Sequence, residues 1–491
     1  MTHDDIRRHS IQGGAVTMLA QGAKFVLQFG ATIVLARLLT PEDYGLFSIA
    51  FSIVILASFF KDLGLSTATI QRAEINQLEL SAMFWVNVVW GLALALATVI
   101  AAPWLAAFFR DPRLTEILWA LATLSILAGI SNQHWALLTR QMRFAASAIV
   151  ELISLGLGIA VGVGTAWIGW GYWALIATQI VIAALRAGGG IIAAHWMPSL
   201  PRAVSVRSFL TFGGQITAVS ILGYATRNLD NLLIGWQRGA RELGFYDKAY
   251  QLLLLPIMQI NVPIGTLAVA VLSRLGGNAA VYRAYCYRIA LICASLGMPL
   301  IAFLFVATEP IVVLALGDAW RETIPLFRAL APAAFIDTFA STITWMFISL
   351  GQTARQLYAS LVIAALIIAS MAIGVQWGAV GVALAYSSAR AVIILPLVIY
   401  ACRRSPVRWT GFLKTLARPT VASLGSAALL VLLSPWMFSA SNLGLTVLSA
   451  SAAYAIFYLA LWVLLPGGIT LLTEIWRSIE MLKHNPAASG V

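Results

Sequence analysis

The residues of this 491-residue chain whose types could do chemistry are a few polar and ionisable side chains set inside long apolar runs. An ionised group at mid-membrane costs at least about 2.5–3.5 kcal/mol on insertion scales, so it must face a partner or a wet cavity. Gly14, Thr17, Gln21, Lys24 and Gln28 follow one another at spacings of 3, 4, 3 and 4, which put them on one helical face. A packed seam would hardly need a lysine, so this face reads as a cavity-lining stripe. Arg186 and Arg390 each fall in the middle of an apolar run. They are either anion-holding cations or arginines locked to a carbonyl or carboxylate. Glu151 and Asp337 are isolated acids, readable as counter-ions to neighbouring arginines or as carboxyls that carry a proton. Arg227 and Asp230 are three apart, so they can pair along a helix or take part in gating. Asn132, Gln133 and His134 close another run, where amides suit hydroxyl partners and the histidine reads as a plain interfacial residue. Asn261-Val-Pro263 interrupts a further run with a kink.

The same inventory excludes much. There is no phosphate-binding glycine loop with a lysine, no His-Glu-x-x-His and no Cys-x-x-Cys. Gly156, Gly158, Gly162 and Gly164 read as close helix packing. The three cysteines, Cys286, Cys293 and Cys402, have no metal-ligand spacing and read as small apolar filler. No catalytic group, metal site or cofactor is expected, and ATP-driven transport by this chain alone is disfavoured.

The elements that position these groups follow from composition. Hydrophobic residues make up 60% of the chain and charged residues 10%, with a mean hydropathy of +0.89. A soluble domain carries about 25% charged residues. The fold class expected is all-α integral membrane, with about fourteen helices near 13–38, 44–61, 81–109, 114–138, 145–168, 172–196, 208–236, 244–272, 285–307, 324–350, 356–376, 380–401, 419–437 and 443–465. The first run is too long for a signal-peptide core and reads as a retained helix.

Charge gives the orientation. The formal charge is +12. With a cytoplasmic N-terminus, 19 of the 31 Lys and Arg residues lie on cytoplasmic segments and helix ends, 8 on outer ones and 4 within helices. That is the sense of the positive-inside rule, and it explains the basic balance without nucleic acid as a partner. An even helix count places both termini in the cytoplasm, and the basic stretch Arg403 to Arg418 with them.

The chain also repeats itself. Gly13-Gly14 and Gly213-Gly214 are 200 apart, and Pro41-Glu-Asp-Tyr-Gly-Leu-Phe47 and Ala240-Arg-Glu-Leu-Gly-Phe-Tyr246 are 199 apart. Trp170-Gly171 recurs as Trp377-Gly378. Two parallel six-helix lobes are expected, over 1–200 and 201–405, with two further helices and a cytoplasmic tail over 406–491.

Leu35-Ala-Arg-Leu-Leu-Thr-Pro-Glu-Asp-Tyr-Gly-Leu-Phe47, with Lys61-Asp-Leu-Gly-Leu-Ser66 and Ile70-Gln-Arg72, resembles the polysaccharide transporter (Wzx/WzxC-like flippase) family. That family belongs to the multidrug/oligosaccharidyl-lipid/polysaccharide exporter (MOP) superfamily, with the toxic-compound-extrusion (MATE) exporters and the lipid II flippase. The resemblance implies a MATE/MOP-like, V-shaped transporter of two lobes around a cationic cavity in the bacterial cytoplasmic membrane. It implies flipping of undecaprenyl-pyrophosphate-linked oligosaccharides to the periplasmic leaflet for O-antigen, capsule or exopolysaccharide synthesis. A polysaccharide polymerase and chain-length machinery are the implied protein partners. The motif positions carry over as structural only. On the helical reading above, Lys24, Arg186 and Arg390 hold the diphosphate, while Gln21, Gln28, Asn132 and Gln133 meet sugar hydroxyls. Glu151, Arg227, Asp230 and Asp337 are the candidates for coupling or gating. A multidrug exporter is the alternative, though its cavity would be expected to be acidic. A membrane polymerase or ligase is less favoured, because the longest outer loop runs only from Ala307 to Ile324.

Overall fold

The computed structural model describes residues 3–58, 69, 75–200, 228–437, 442–466 and 468, with the backbone alone over 3–19, 57–58 and 436–437. The described residues form helices and no strand. In order these are α1 (His3–Leu38), α2 (Pro41–Ser58), α3 (Gln77–Phe109), α4 (Arg113–Arg140), α5 (Phe144–Trp167), α6 (Trp173–Ala194), α7 (228–238) and α8 (Ala240–Arg274). Then come α9 (Ala279–Val306), α10 (Thr308–Leu316), α11 (Thr323–Ser349), α12 (Thr353–Gly374), α13 (Gly378–Cys402), α14 (Trp409–Met437) and α15 (Leu443–Leu464). Lipid offers the backbone no hydrogen-bond partner, so apolar runs of this length must close their bonds within the segment. Ten described segments are long and apolar enough to cross a membrane, one of them, Thr353–Cys402, holding both α12 and α13. Their outer faces are apolar: Leu448 is 66% and Leu464 78% exposed, as lipid-facing side chains should be.

All but α10 fall on expected runs. The ends differ. The first helix begins at His3 rather than near 13, and α9 begins at Ala279 rather than near 285. Hydropathy fades at such ends because they carry charge, yet the helix continues into the interface, where long basic side chains reach water. The supposed loop from Ala307 to Ile324 is itself folded, into α10 and a 3-10 turn at Asp318–Trp320.

The chain divides into two compact units. One comprises Met1–Asp247, Leu316–Trp320 and Met371–Val382; the other Lys248–Ala315, Arg321–Ser370 and Ala383–Val491.

The first unit gives the repeat a physical reason. Thr40 and Asp43 open α2 reciprocally: the Thr40 N–H donates to Asp43 Oδ2 at 2.9 Å, and the Asp43 N–H to Thr40 Oγ1 at 3.2 Å. The other carboxylate oxygen, Asp43 Oδ1, accepts the Tyr172 N–H at 2.9 Å, at the start of α6. In the second half Glu242 Oε2 accepts the Ala379 N–H at 3.1 Å, at the start of α13. In each half, then, an acid from the repeated motif satisfies an orphan N–H behind a Trp-Gly turn, where helix polarity favours negative charge. Gly171 (φ +55°) and Gly378 (φ +77°) make those turns, in a region that disfavours side chains. The glycines of the same motif fit together. A Cβ on Gly45 would lie 1.7 Å from the Ala240 carbonyl oxygen, and one on Gly244 1.8 Å from that of Pro41. The starts of α2 and α8 therefore cross reciprocally, backbone on backbone. Beside them Trp320 is fully buried, donates its indole N–H to the Ala36 carbonyl at 2.8 Å and meets the rings of Tyr44 and Phe245 edge-on.

In the second unit α9 packs against α11 and α14 around an apolar core that contains Cys286, Cys293 and Cys402, all buried thiols. That is the filler role expected of them. The last two helices dock onto α9 and each other: Tyr458 Oη donates to the Ser295 carbonyl and Tyr454 Oη to that of Ser423, both at 3.0 Å.

Candidate transport cavity

Within the first unit α1 packs on α5, α5 on α6, and α6 on α4. Gly158 and Gly162 allow the α5–α6 approach, since a Cβ on either would strike Ile182 or Thr178; Gly156 and Gly164 face open space. This brings Lys24, Glu151 and Arg186 together. Lys24 Nζ bonds Glu151 Oε2 directly, and Arg186 Nη2 stands 3.7 Å from Glu151 Oε1. Glu151 is thus not isolated but held between two cations, and the trio carries a net charge of +1. The Arg186 side chain stays 46% exposed. Its guanidinium lies over the Trp135 ring at 4.8 Å, a cation–π contact, and Trp135 Nε1 donates to the Arg186 carbonyl at 3.3 Å.

Arg186 also lines a cavity of about 430 Å³ between α2, α4 and α6. Ser125, Ala128, Asn132, Trp135 and Thr139 face it from α4, and Gln179, Ile182, Ala183 and Arg186 from α6, with Phe51, Val54 and Ile55 from α2. Asn132 Nδ2 is buried without a partner among the described residues, a donor whose desolvation costs about 1–3 kcal/mol if nothing meets it. An aromatic face, amide donors and a cation with unused N–H groups suit a polar, hydroxyl-bearing ligand with negative charge.

The other expected residues separate. Gln21 and Gln28 are exposed on the Lys24 face of α1. Gln133 does not line the cavity: it is fully buried and donates to Thr69 Oγ1 at 3.0 Å. His134 is not interfacial but buried, its Nδ1 3.0 Å from the Ile130 carbonyl oxygen and its ring edge-on to Phe84 and Trp196. Asp230 is buried and accepts from Tyr246 Oη and the Asn231 N–H, each at 2.8 Å. Arg227 lies outside the described residues, as do Lys61–Ser66 and Ile70–Arg72. In the second unit Arg390 Nη2 bonds Asp337 Oδ1, and Asn261 Nδ2 donates to Ser341 Oγ at 3.2 Å, beside Asp337. Trp135 and Gln179 were missed. Their signal was there: Trp135 lies three residues after Asn132 and Gln179 seven before Arg186, on the same helical faces. No group of acids, histidines and cysteines among the described residues could hold a metal.

The helical bundle shares its fold with solved flippase and multidrug-transporter structures. The structure of the lipid II flippase MurJ, in an inward closed conformation, superposes with a TM-score of 0.73 over 91% of this chain and 98% of that one, at 14% identity. An inward-facing MATE multidrug transporter gives 0.62 over 80% and 96%, at 15% identity. The sequence narrows the class: residues 34–325, more than half of the chain, match the family described as polysaccharide biosynthesis protein, and the chain belongs to that family. It is similar to the lipopolysaccharide biosynthesis protein WzxC of Escherichia coli (25% identical, 78% of each chain). It is also similar to the succinoglycan biosynthesis transport protein ExoT of Rhizobium meliloti (25% identical, 83% of each). The teichuronic acid biosynthesis protein TuaB of Bacillus subtilis is 22% identical over 66% of this chain and 68% of its own.

Proposed function

We propose that this protein is a secondary transporter that moves undecaprenyl-pyrophosphate-linked oligosaccharide units from the cytoplasmic to the periplasmic leaflet for surface polysaccharide synthesis. One observation carries the reading: Arg186, joined through Glu151 to Lys24 in a net-cationic network, lines a cavity walled by Trp135, Asn132 and Gln179. Pyrophosphate and sugar are the parts of such a substrate that a bilayer core excludes, and this wall offers a partner to each. Relatives named for lipopolysaccharide, teichuronic acid and succinoglycan synthesis support the substrate class. In this reading Lys24 and Arg186 hold the diphosphate, with Glu151 as their exchangeable counter-ion, and in the second unit Arg390 is a further anion-holding cation with Asp337 as its own counter-ion. The protein sits in the bacterial inner membrane with both termini cytoplasmic, and hands its product to a polysaccharide polymerase and chain-length machinery. It is not itself an enzyme. A cation-binding multidrug exporter would need the opposite charge in the cavity.

The test is a deletion strain assayed by mass spectrometry for lipid-linked glycan held on the cytoplasmic side. Lys24→Ala and Arg186→Ala should reproduce the accumulation while the protein remains inserted, and Arg186→Lys should restore export in part, because a point charge replaces a planar fork. Normal surface glycan in a Lys24→Ala, Arg186→Ala, Arg390→Ala triple variant would overturn the proposal.

A further inference from the structure

The second unit holds a separate charged recess. It has a volume of about 470 Å³ and lies where α9 begins, α13 ends and α14 starts. Arg283, Arg403 and Arg408 line it, together with Ser405 and Trp409. Its floor is built rather than incidental. Arg283 Nε donates to the Pro406 carbonyl at 2.7 Å, which ties α9 to the linker. Tyr287 Oη, also on α9, donates to the Arg408 carbonyl at 3.0 Å and accepts the Arg408 N–H at 3.1 Å. Ser405 Oγ accepts the Val407 N–H at 3.2 Å, and Val407 and Phe412 are buried anchors on either side of Arg408. The linker is therefore pinned on both flanks while Arg403 and Arg408 project as exposed side chains.

No acid among the described residues answers them. None of the three arginines forms an ion pair among the described residues, and the chain carries no Asp or Glu from 338 to 473. Three clustered guanidinium groups repel one another, so a fixed cluster that no carboxylate of the described residues joins is one arranged for an external anion. The surroundings say which kind. The recess sits at the ends of helices long and apolar enough to cross a membrane. Trp409, 44% exposed at the first turn of α14, is the side chain that favours the headgroup layer. The positive end of α14 adds to the field.

We infer that the recess formed by Arg283, Arg403, Arg408 and Trp409 binds the phosphate of an acidic membrane lipid at the cytoplasmic boundary. It holds the linker between α13 and α14 against the bilayer surface. The inference uses neither the cavity of the first unit nor the transport reaction. The shared chemistry is a lipid-borne or free phosphate, and the bilayer phospholipid is the source favoured, because the recess lies at the ends of long apolar helices with the exposed Trp409 beside it.

The experiment is native mass spectrometry of the full chain released from detergent with phosphatidylglycerol or phosphatidylcholine added, alongside farnesyl diphosphate and inorganic diphosphate as competitors. Retained phosphatidylglycerol should exceed phosphatidylcholine. It should weaken about five-fold for each arginine replaced and about a hundred-fold in Arg283→Gln, Arg403→Gln, Arg408→Gln. Lys414→Gln with Arg418→Gln, charges of the same segment outside the recess, should leave it unchanged. Equal losses in that control would show diffuse charge attraction and overturn the site. Displacement by inorganic diphosphate at equal concentration would assign the recess to a soluble phosphate. Displacement by farnesyl diphosphate alone would assign it to a polyprenyl diphosphate and so overturn the phospholipid. Arg403→Gln keeps the test decisive if the triple variant misfolds, since the Arg403 side chain is exposed and makes no bond to any of the described residues; undiminished binding in it refutes the proposal.

Discussion

Replacing Gly45 or Gly244 by alanine tests the reciprocal crossing of α2 and α8. The added Cβ would sit 1.7 Å from the Ala240 oxygen in one case and 1.8 Å from the Pro41 oxygen in the other. Carbon and oxygen rest at about 3.4 Å, so either alanine forces the two helix starts apart by roughly 1.6–1.7 Å. The obstructing atoms are backbone on both sides, and no rotamer change relieves them. Overpacking of this kind costs about 1–3 kcal/mol, and the upper half of that range is expected here. Because the two glycines seat in one crossing, the first alanine opens the gap that the second needs. The double variant should therefore cost less than the sum of the singles, by about 1 kcal/mol or more. Thermal unfolding of the purified single and double variants measures this, with Gly156→Ala as the control, because a Cβ there meets nothing within 4 Å. The control should be neutral or stabilising, as alanine is in a helix interior. Strictly additive losses, or one severe and one silent substitution, would refute the reciprocal fit.

Three further outcomes are expected. Lys24→Met should lower the unfolding temperature more than Lys24→Met combined with Glu151→Gln, because the single change removes one of the two cations that flank Glu151; the coupling should be about 1 kcal/mol, as for a partly exposed pair. Asp43→Ala should cost about 1–2 kcal/mol, since it removes bonds at the starts of both α2 and α6, and Glu242→Ala, which lacks the reciprocal cap, should cost less. Cysteine placed at Ser405 should resist a membrane-impermeant reagent applied from the periplasm, while cysteine at Asn442 should react; the native cysteines are buried and leave little background. The reverse labelling would invert the topology.

What could be read from the sequence was whatever depends on a run of apolar residues or on a motif that recurs. The helices were legible because lipid leaves the backbone no alternative. The acid–glycine and Trp-Gly repeats were legible because each marks the same cap in the two halves, Asp43 on Tyr172 and Glu242 on Ala379. What escaped was settled by packing between distant segments. Lys24 and Glu151 are 127 positions apart, and nothing in either neighbourhood announces the pair. Asn132, Gln133 and His134 looked like one polar cluster, but consecutive helical residues point about 100° apart. Only Asn132 reaches the cavity, while Gln133 turns to Thr69 and His134 to an aromatic nest. Trp320 escaped because its burial depends on Ala36, 284 residues away, and on the small helix folded into an apparently short loop.

The charge arrangement bears on how a cavity of this kind can release what it binds. Two unpaired cations beside a Trp face would hold a diphosphate tightly, and tight binding on one side of a membrane is a trap on the other. Glu151 changes that balance. It contacts Lys24 directly and stands 3.7 Å from Arg186, so a bound anion must compete with an internal carboxylate for the same donors. On the proposed reading, the free energy of substrate binding is only the difference between two ion pairs of similar strength, small enough for exchange in either direction. Arg390 and Asp337 show the same economy in the second unit, with the pair more enclosed: their side chains are 14% and 22% exposed, against 46% for Arg186. The more open arginine, 3.7 Å from its carboxylate, is the one that meets substrate by breaking the looser of the two ion pairs. Arg186→Ala should therefore impair export more than Arg390→Ala at equal protein levels, whereas Arg390→Ala should cost more folding stability, because it strands Asp337 in the less solvated site. Equal export by both variants would show that the two arginines do not differ in this way.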